Sequence, residues 1–424
     1  MARLCPRMCF AKSVRALSGR PASDRPAFDF DYLLDTANLT EIRGNIRSRK
    51  QVGDIDALHR AWNQLNSLIS GESTIDNAVE LRRVWDQVYN LANDIPNRTH
   101  PDSPVGNESK AELIGEIGES SEKCCVDAET IGQRMGSYFE LGRTCGQRTY
   151  GLIGPLARLE RALVDYSRET VLQHGFRPIV VPDVLNIRIP QCCGLMQRSE
   201  TGILYVLHEK PDLCLAGTAE MGVAAYLRNR IFEMAQLPLK LVAVSRCYRP
   251  ETGEGKLSRG LYRVHEFTKV EMFIVTADES GCESDDALKQ ILNIQKQIFS
   301  GLQLYCRILN MPSEELGAAA FKKYDIEAWL PSRQSFGEIS SASNCSDFQS
   351  RRLALRYRDS YGNLKFAHTC NGTACATTRA IIAVLEQCQH KKGLLKVPSV
   401  LEPYLRSRRQ ATLGVYFSIE YSEN

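Results

Sequence analysis

The sequence predicts an α+β fold, with a helical hairpin near the N-terminus and a larger domain organised around a β-hairpin. Apolar residues recur every three or four positions across residues 55–91, which is typical of amphipathic helices. Residues 241–273 instead form two runs rich in β-branched and aromatic residues around a glycine-rich, charged loop, which is typical of paired strands. The chain has 424 residues and 43% hydrophobic composition, so it is long enough for one large domain and a smaller one.

The first 27 residues have the composition of a mitochondrial presequence. Six Lys or Arg side chains stand against a single acid in residues 1–25, with serine and small apolar residues between them. This segment has no apolar core of the length that a secretory signal needs. A disordered basic tail is the alternative. We therefore expect a presequence over residues 1–27 and a protein of the mitochondrial matrix.

Residues 28–94 are predicted to form the helical hairpin. An opening helix is expected over residues 30–50, followed by two amphipathic helices of about 25 Å each, separated by a break at residues 71–73. The hairpin either packs on the larger domain or projects from it as an arm. Three prolines break the helix in residues 95–106, so residues 95–148 are predicted to be a linker leading into the larger domain. That domain is expected over residues 149–424, and its C-terminal tail is basic.

Charge and cysteine content exclude several classes of protein. A net charge of +3 is too small to indicate a general nucleic-acid binder, so any RNA contact must come from local patches. No apolar run approaches the roughly 18 to 20 residues that span a bilayer, so no membrane partner is expected. The fifteen cysteines lack CxxC and paired cysteine–histidine spacings. We expect them to be reduced thiols, mostly buried, and we expect no structural zinc site.

The β-hairpin has a face that is too polar for a protein core. Side chains two apart on a strand share a face, so Arg249 and Glu251 point the same way. On the return strand one face is expected to hold Arg263, His265, Phe267, Lys269 and Glu271, and the other Tyr262, Val264, Thr268, Val270 and Met272. Arginine binds phosphate, an aromatic ring stacks on a base and a carboxylate binds ammonium. The polar face therefore suits a ligand that carries these groups, or else it is a solvated face crossed by ion pairs.

Four other segments have recognisable patterns. Residues 150–182 read as a helix followed by a buried strand that ends at Pro182. Thr218 and Glu220 precede a helix-like run, either as an N-cap and first-turn acid or as part of a binding loop. Glu338 is a candidate ligand for Mg²⁺, or belongs to a polar loop with capping serines. Arg379 lies among small residues, either close to a ligand or simply on the surface.

Together these segments resemble motifs 1, 2 and 3 and the amino-acid-binding loop of class II aminoacyl-tRNA synthetases. The stretch RGLYRVHEFTKVEMF resembles seryl-tRNA synthetases of the mitochondrial type. The resemblance implies an antiparallel sheet flanked by helices, a homodimer, and an N-terminal arm that contacts tRNA. It also implies that ATP and Mg²⁺ are used to join L-serine to AMP and then to mitochondrial tRNA(Ser). Thr378 departs from the family pattern, in which glycine or proline precedes the motif 3 arginine.

The resemblance also assigns roles to individual residues. Arg249, Arg379 and Mg²⁺ held by Glu338 are expected to be catalytic, through positioning and charge neutralisation. The implied ATP site comprises Arg249, Glu251, Phe267, Glu338, Ile339, Ser340, Ser341 and Arg379, and the implied serine site comprises Thr218, Ala219, Glu220, Arg249, Glu271 and Thr373.

Two alternatives to a serine ligase are weighed. A catalytically inactive synthetase-like paralogue that binds tRNA or protein is disfavoured, because the motif arginines and the serine-site glutamates are all present. A class II ligase for threonine or proline is disfavoured by the segments TAE and EISS.

Overall fold

The computed structural model describes residues 25–70, 75–120, 126–195, 204–251, 260–390, 394–405 and 416–418. Residues 1–24 of the predicted presequence, the tip of the β-hairpin and most of the basic tail lie outside these ranges. None of the described helices is both long and apolar enough to cross a bilayer.

The elements are numbered in chain order. The helices are α1 (Phe30–Leu33), α2 (Leu39–Ser48), α3 (Ile55–Ser70), α4 (Ile75–Asp94), α5 (Ala128–Arg134), α6 (Gly142–Cys145), α7 (Gly154–Gln173), α8 (Arg188–Cys192), α9 (Ala219–Leu227), α10 (Glu283–Gly301), α11 (Phe348–Leu353), α12 (Thr377–Gln387) and α13 (Glu402–Leu405). The strands are β1 (Glu112–Ile117), β2 (Tyr138–Glu140), β3 (Tyr150–Leu152), β4 (Arg177–Ile179), β5 (Val184–Asn186), β6 (Val206–Leu207), β7 (Lys210–Leu215), β8 (Ile231–Glu233), β9 (Leu239–Tyr248), β10 (Glu266–Thr276), β11 (Cys306–Asn310), β12 (Lys322–Leu330), β13 (Ser335–Asn344), β14 (Arg356–Arg358), β15 (Leu364–Phe366), β16 (His368–Ala376), β17 (Gln389–His390), β18 (Leu394–Lys396) and β19 (Tyr416–Ser418).

Helices α1 to α4 form an N-terminal module with an apolar core of its own. The core follows the stripes that the sequence predicts, and it includes Ile42, Ile46, Ile55, Leu58, Leu65, Val84 and Val88. Aromatic rings of α1, α3 and α4 pack together with centroids 5.2 to 6.5 Å apart, namely those of Phe30, Trp62, Trp85 and Tyr89. Because the two long helices bury their stripes against each other and against α1 and α2, the module holds together through its own side chains.

The single opening helix predicted over residues 30–50 is wrong, because α1 and α2 are separate. A 3-10 turn, Thr36–Asn38, lies between them, and the Asp35 carboxylate accepts a hydrogen bond from the Ala37 backbone N–H. Aspartate competes for backbone N–H groups in this way and therefore interrupts a helix that the apolar pattern alone would continue.

An eight-stranded sheet lies at the centre of the larger domain, in the order β1-β11-β12-β13-β16-β10-β9-β4. Neighbouring strands are antiparallel except for β4 and β9, which are parallel. The predicted β-hairpin is its pair β9 and β10, which runs from Glu266 opposite Tyr248 to Val275 opposite Leu239. The expected sheet flanked by helices is present, and its strands are antiparallel apart from the one pair at the edge.

Helices α7, α10 and α12 cover one face of this sheet with apolar side chains. The shared core includes Leu159 and Leu163 of α7, Ile291 and Ile298 of α10, and Ile381 and Val384 of α12. On β10, Val270, Met272 and Ile274 point into that core. Since side chains alternate along a strand, Phe267, Lys269 and Glu271 lie on the opposite face. Polar groups can therefore collect there without disturbing the core.

Residues 107–148, in which the sequence predicts no elements, contribute β1, α5, α6 and β2. Strand β1 is an edge strand that pairs with β11 alone. Its weak sequence signal has a physical cause, since Leu113 and Ile114 are 57% and 42% exposed and its side chains therefore do not alternate between apolar and polar. The central sheet thus includes a strand from the predicted linker.

The buried strand predicted to end at Pro182 is wrong in length and in burial. Strand β4 contains three residues at the sheet edge, and Val180 is 96% exposed. Val181 instead packs on α9, where a Cβ at Gly222 would lie 2.6 Å from the Val181 Cβ. A continuous apolar run indicates burial on both faces, but one face of this segment meets no described part of the chain.

Candidate active site

A cavity of about 580 Å³ opens on the sheet face opposite α7, α10 and α12, where β9, β10, β16 and β13 lie side by side. All but one of the residues predicted to bind ATP or serine line it. The lining residues are Thr218, Glu220, Arg249, Glu251, Phe267, Glu271, Glu338, Ile339, Ser340, Ser341, Thr373 and Arg379. The exception is Ala219, the first residue of α9, which is 1% exposed and packs in an apolar cluster. Segments separated by more than 150 residues in sequence thus meet in one place because their strands are neighbours.

The face assignment on the return strand is correct from Phe267 onward and fails before it. Tyr262 belongs to a 3-10 turn, Gly260–Tyr262, and β10 begins at Glu266. Arg263 still lines the cavity, whereas His265 does not. The His265 Nδ1 atom lies 3.1 Å from the Arg249 carbonyl oxygen and 2.8 Å from Tyr205 Oη. His265 therefore connects the two sides of the β-hairpin near its tip.

Arg379 and Glu338 form the most strongly charged part of the cavity. The Arg379 guanidinium donates to the Glu338 carbonyl oxygen at 3.0 Å and lies 3.2 Å from the Glu338 carboxylate. Burial alone would raise the pKa of Glu338, but Arg379, Lys323 and Arg249 outweigh it and hold this pKa at about 2. Burial opposes charge on Arg379 too, yet Glu338 raises the pKa of Arg379 overall. Both groups are therefore charged at neutral pH.

Arg249 and Phe267 lie together beside this pair. The Arg249 guanidinium carbon is 5.3 Å from the Phe267 ring centroid, and its Nε donates to the Gly217 carbonyl oxygen at 3.4 Å. Phe267 is 7% exposed and packs with apolar neighbours, so the position of its ring is fixed. At the rim, Arg263 is paired with the Glu251 carboxylate at 2.9 Å.

Glu220 is partly buried in another part of the cavity and is held by two amides. Gln349 donates to its Oε1 at 2.5 Å, and Asn371 donates to its Oε2 at 2.8 Å. Burial and the nearby Glu271 carboxylate raise the pKa of Glu220 to about 7. Thr218 caps α9 by accepting the Glu220 backbone N–H at 3.3 Å. The capping role and the position in the cavity, which the sequence offered as alternatives, are both present.

Glu271 is buried and paired. Its carboxylate is 2.8 Å from Lys269 Nζ and accepts from Thr373 Oγ1 at 3.0 Å. The side chains of Lys269 and Glu271 are 7% and 3% exposed, so this pair differs from the solvated ion pair considered as an alternative. Two carboxylates and one ammonium in this part of the cavity leave one negative charge when Glu220 is ionised.

Ile339 and Ser340 line the cavity wall but are tied to the core. Ile339 is 2% exposed and belongs to the main apolar cluster. The Ser340 hydroxyl donates to the Thr373 carbonyl oxygen at 2.5 Å and accepts from Gln295 Nε2 at 2.8 Å. These two residues hold β13 against β16, whereas Glu338 and Ser341 are the more exposed residues of the segment.

Sequence reasoning placed Lys269 on the polar face of the return strand but gave it no role, and it missed three other polar residues of the site. Asn371 precedes Thr373 by two positions on its strand, so the alternation of faces could have identified it. Lys323, on β12, lies outside the recognised segments, and nothing in the local sequence marks Lys323 or Gln349, on α11, as a site residue. Lys323 lies near the cavity because β12 pairs with β13, and Gln349 does so because of how α11 packs.

Seven of the eleven described cysteines are buried. The described residues include no group of three or more His, Cys, Asp or Glu that could hold a metal ion. The cysteines at positions 5, 9, 124 and 125 lie outside the described ranges.

Comparison with known proteins identifies clear relatives. The family model of the tRNA synthetase class II core domain (G, H, P, S and T) matches residues 205–388. The mitochondrial serine–tRNA ligase of Mus musculus is 39% identical over 418 residues, which cover 97% of this chain and 75% of the relative.

Two solved structures are similar over most of the chain. The cytoplasmic serine–tRNA ligase of Naegleria fowleri in complex with AMP is 27% identical, with a TM-score of 0.77 over 88% of this chain and 96% of that one. Seryl-tRNA synthetase of Pyrococcus horikoshii complexed with ATP is 29% identical, with a TM-score of 0.70 over 88% and 91% of the two chains.

Proposed function

Because the chain belongs to the seryl-tRNA synthetase family of the class II aminoacyl-tRNA synthetases, we propose that it activates L-serine with ATP and transfers the serine to mitochondrial tRNA(Ser). One observation supports this proposal most directly. A single cavity holds Glu220 and Glu271 beside Lys269 in one part, and Arg249, Arg379 and Glu338 in another. The first group suits an amino acid and the second a triphosphate.

In the first step the serine carboxylate attacks the α-phosphorus of ATP in line, and pyrophosphate leaves. This step needs no nucleophile from the protein, so the residues act by positioning and by neutralising charge. Arg249 and Arg379 are the cations placed to do so, and each is already oriented, Arg249 by the Gly217 carbonyl and Arg379 by Glu338. Phe267 and Glu251 are proposed to bind the adenine.

Mg²⁺ fits the chemistry of Glu338. A hard cation takes oxygen ligands and often bridges one or two carboxylates to substrate phosphates. The Glu338 carboxylate is charged, since its pKa is about 2, and its side chain is 40% exposed towards the cavity, beside Ser341. When bound there with ATP, the ion supplies further charge neutralisation at the phosphates.

Serine is proposed to bind in the part of the cavity that holds Glu220, Glu271 and Thr373. Lys269 neutralises one of the two carboxylates of Glu220 and Glu271. One negative charge remains, and it matches the single ammonium group of serine. Thr218 and Arg249 border the same space, and Ala219 can contribute only its backbone, because its side chain is buried.

The N-terminal module, residues 28–94, is proposed to contact tRNA(Ser), and the working form is proposed to be a homodimer. Exposed apolar residues around β4, including Val180 at 96% and Val184 at 46%, support a dimer, because a partner subunit would cover them.

The basic composition of residues 1–27 and the mitochondrial relative support a location in the matrix.

Exchange of labelled pyrophosphate into ATP by the full chain tests the proposal. We expect exchange that requires serine and Mg²⁺, that threonine and proline do not replace, and that Glu338→Gln reduces strongly. Charging of mitochondrial tRNA(Ser) should follow. Tight tRNA binding without any serine-dependent exchange would instead favour the inactive paralogue.

A further inference from the structure

One wall of the cavity is a loop of small residues that the N-terminal module contacts from outside. This wall loop comprises residues 315–320, and Gly317, Ala318, Ala319 and Ala320 line the cavity. Ala319 packs with Cys345 and Phe348, and a Cβ at Gly194 would lie 3.0 Å from the Ala319 Cβ. The loop lies close to its neighbours on the cavity side, so a small displacement would change the shape of the space it bounds.

Asn97 ties the wall loop to the segment that carries Cys345. Its side-chain Nδ2 lies within hydrogen-bond distance of the Ala319 carbonyl oxygen (2.8 Å), the Cys345 carbonyl oxygen (2.9 Å) and Ser346 Oγ (3.0 Å). Its backbone N–H also donates to the Ala318 carbonyl oxygen at 2.9 Å. One side chain from the segment after α4 therefore bridges two backbone segments of the cavity wall.

Arg49, at the end of α2, bonds two carbonyls of the same loop. Its guanidinium donates to the Gly317 carbonyl oxygen at 2.6 Å and to the Ala320 carbonyl oxygen at 3.0 Å. The residue is 4% exposed, and burial lowers its pKa to about 10, so it remains charged at neutral pH. A buried charge is costly unless it is well bonded, so these carbonyl contacts are strongly favoured.

A short series of contacts leads from Asn97 to Glu220. Asn97 bonds the Cys345 backbone, the Cys345 thiol lies 3.9 Å from Asn371 Oδ1, and Asn371 donates to Glu220 at 2.8 Å. The wall loop and Glu220 therefore border the same part of the cavity, where serine is proposed to bind.

We propose that Asn97 and Arg49 are positioning residues that set the size of the serine end of the cavity by holding the wall loop in place. This inference rests on the proposed function. Without these contacts the carbonyls of Gly317, Ala319 and Ala320 lose their partners and the loop moves, so serine binds less well and a larger amino acid is excluded less well. ATP, whose proposed contacts lie elsewhere, is affected little.

Pyrophosphate exchange by the full-length Asn97→Ala variant tests the proposal, with serine and ATP titrated separately. We expect KM for serine to rise about 10-fold, the worth of one or two hydrogen bonds, while KM for ATP stays within about twofold. The ratio of kcat/KM for serine to that for threonine should fall. Asn97→Asp keeps the acceptor of the Arg98 backbone N–H but faces the carbonyls with a carboxylate, so its effect should be larger.

Asp29→Ala is the matched control, because Asp29 attaches the module to α11 through Arg351 at 3.1 Å without touching the wall loop. It should lower the melting temperature and leave KM for serine unchanged.

Equal serine KM values for wild type and Asn97→Ala would overturn the proposal. If Asn97→Ala does not fold, the same titrations are made with Arg49→Lys. Lysine keeps the charge but cannot bond the Gly317 and Ala320 carbonyls together. A wild-type protein without serine-dependent exchange would instead refute the proposed function.

Discussion

At the scale of single residues, two partly buried glutamates of one cavity have opposite electrostatics. Glu338 is surrounded by Arg379, Lys323 and Arg249, which outweigh the effect of burial and hold its pKa at about 2. Burial and the Glu271 carboxylate together raise the pKa of Glu220 to about 7. Glu338 is therefore charged throughout the neutral pH range, whereas Glu220 titrates near neutral pH, although both are glutamates of one cavity.

The raised pKa of Glu220 makes serine binding depend on pH. The carboxyl is mostly protonated at pH 6 and mostly charged at pH 8, and only the charged form attracts an ammonium group. KM for serine in pyrophosphate exchange should therefore fall by roughly tenfold between pH 6 and pH 8. Glu220→Gln should have a flat profile and a raised KM at pH 8. A flat wild-type profile would exclude Glu220 from ammonium binding.

The same shift also affects stability. Because the folded pKa of about 7 lies above the ordinary value of 4.5, the folded state holds a proton that the unfolded state has lost between these values. This contribution to stability is complete below about pH 4.5 and is lost as the pH rises to 7.

Arg379→Ala should abolish adenylate formation while the protein stays folded. The variant removes one oriented cation from the triphosphate site, which typically slows the chemical step by about 100- to 1,000-fold. Arg333→Ala is the matched control, since Arg333 also lies over the Tyr262 ring, at 5.5 Å, but does not line the cavity. Exchange rates should distinguish the two variants while circular dichroism does not. Wild-type exchange by Arg379→Ala would refute the role of Arg379.

At the scale of elements, the helical hairpin α3 and α4 packs at its base against α1 and α2, where Trp62 and Trp85 contact Phe30. Gln64 donates to Glu80 at 3.3 Å, so these positions lie opposite each other across the hairpin. The aromatic cluster around Trp62 and Trp85 lies on the base side of that point.

Shortening the hairpin therefore separates tRNA charging from serine activation. Replacing residues 66–79 by a short glycine turn keeps Trp62, Trp85 and Asn97 in place. We expect tRNA(Ser) charging to weaken and serine-dependent pyrophosphate exchange to stay within about twofold of wild type, because the cavity is untouched. Normal charging by the shortened protein would show that this hairpin does not contribute to tRNA binding.

At the scale of the whole molecule, the exposed valine beside β4 provides a test of the proposed dimer. Val180→Glu should convert the proposed dimer into a monomer, because a charge in an apolar interface is costly to bury. Light scattering with size-exclusion chromatography measures this directly. Val105→Glu, at a valine that is 71% exposed elsewhere, should leave the mass unchanged. A wild-type monomer, or an unchanged mass for Val180→Glu, would refute an interface at β4.

The sequence by itself determined the fold class, the family and the residues of the strands that meet at the cavity. Periodicity identifies helices and strands because it reflects which side chains face a core, and the motif residues stand at fixed spacings on those elements. The prediction of a class II synthetase fold is confirmed, and the assigned roles of residues such as Glu271 and Arg379 stay predictions.

Only the tertiary structure decided how remote segments meet. Gln349 donates to Glu220 from α11, Lys323 lowers the pKa of Glu338 from the neighbouring strand, and Asn97 bonds a wall loop that lies more than 200 residues away in sequence. Local sequence carries no signal for such contacts, because they depend on which elements become neighbours. The exposure of Val180 likewise depends on which surfaces become neighbours. The break at Asp35 has a different origin, because it comes from a local hydrogen bond that competes with the helix.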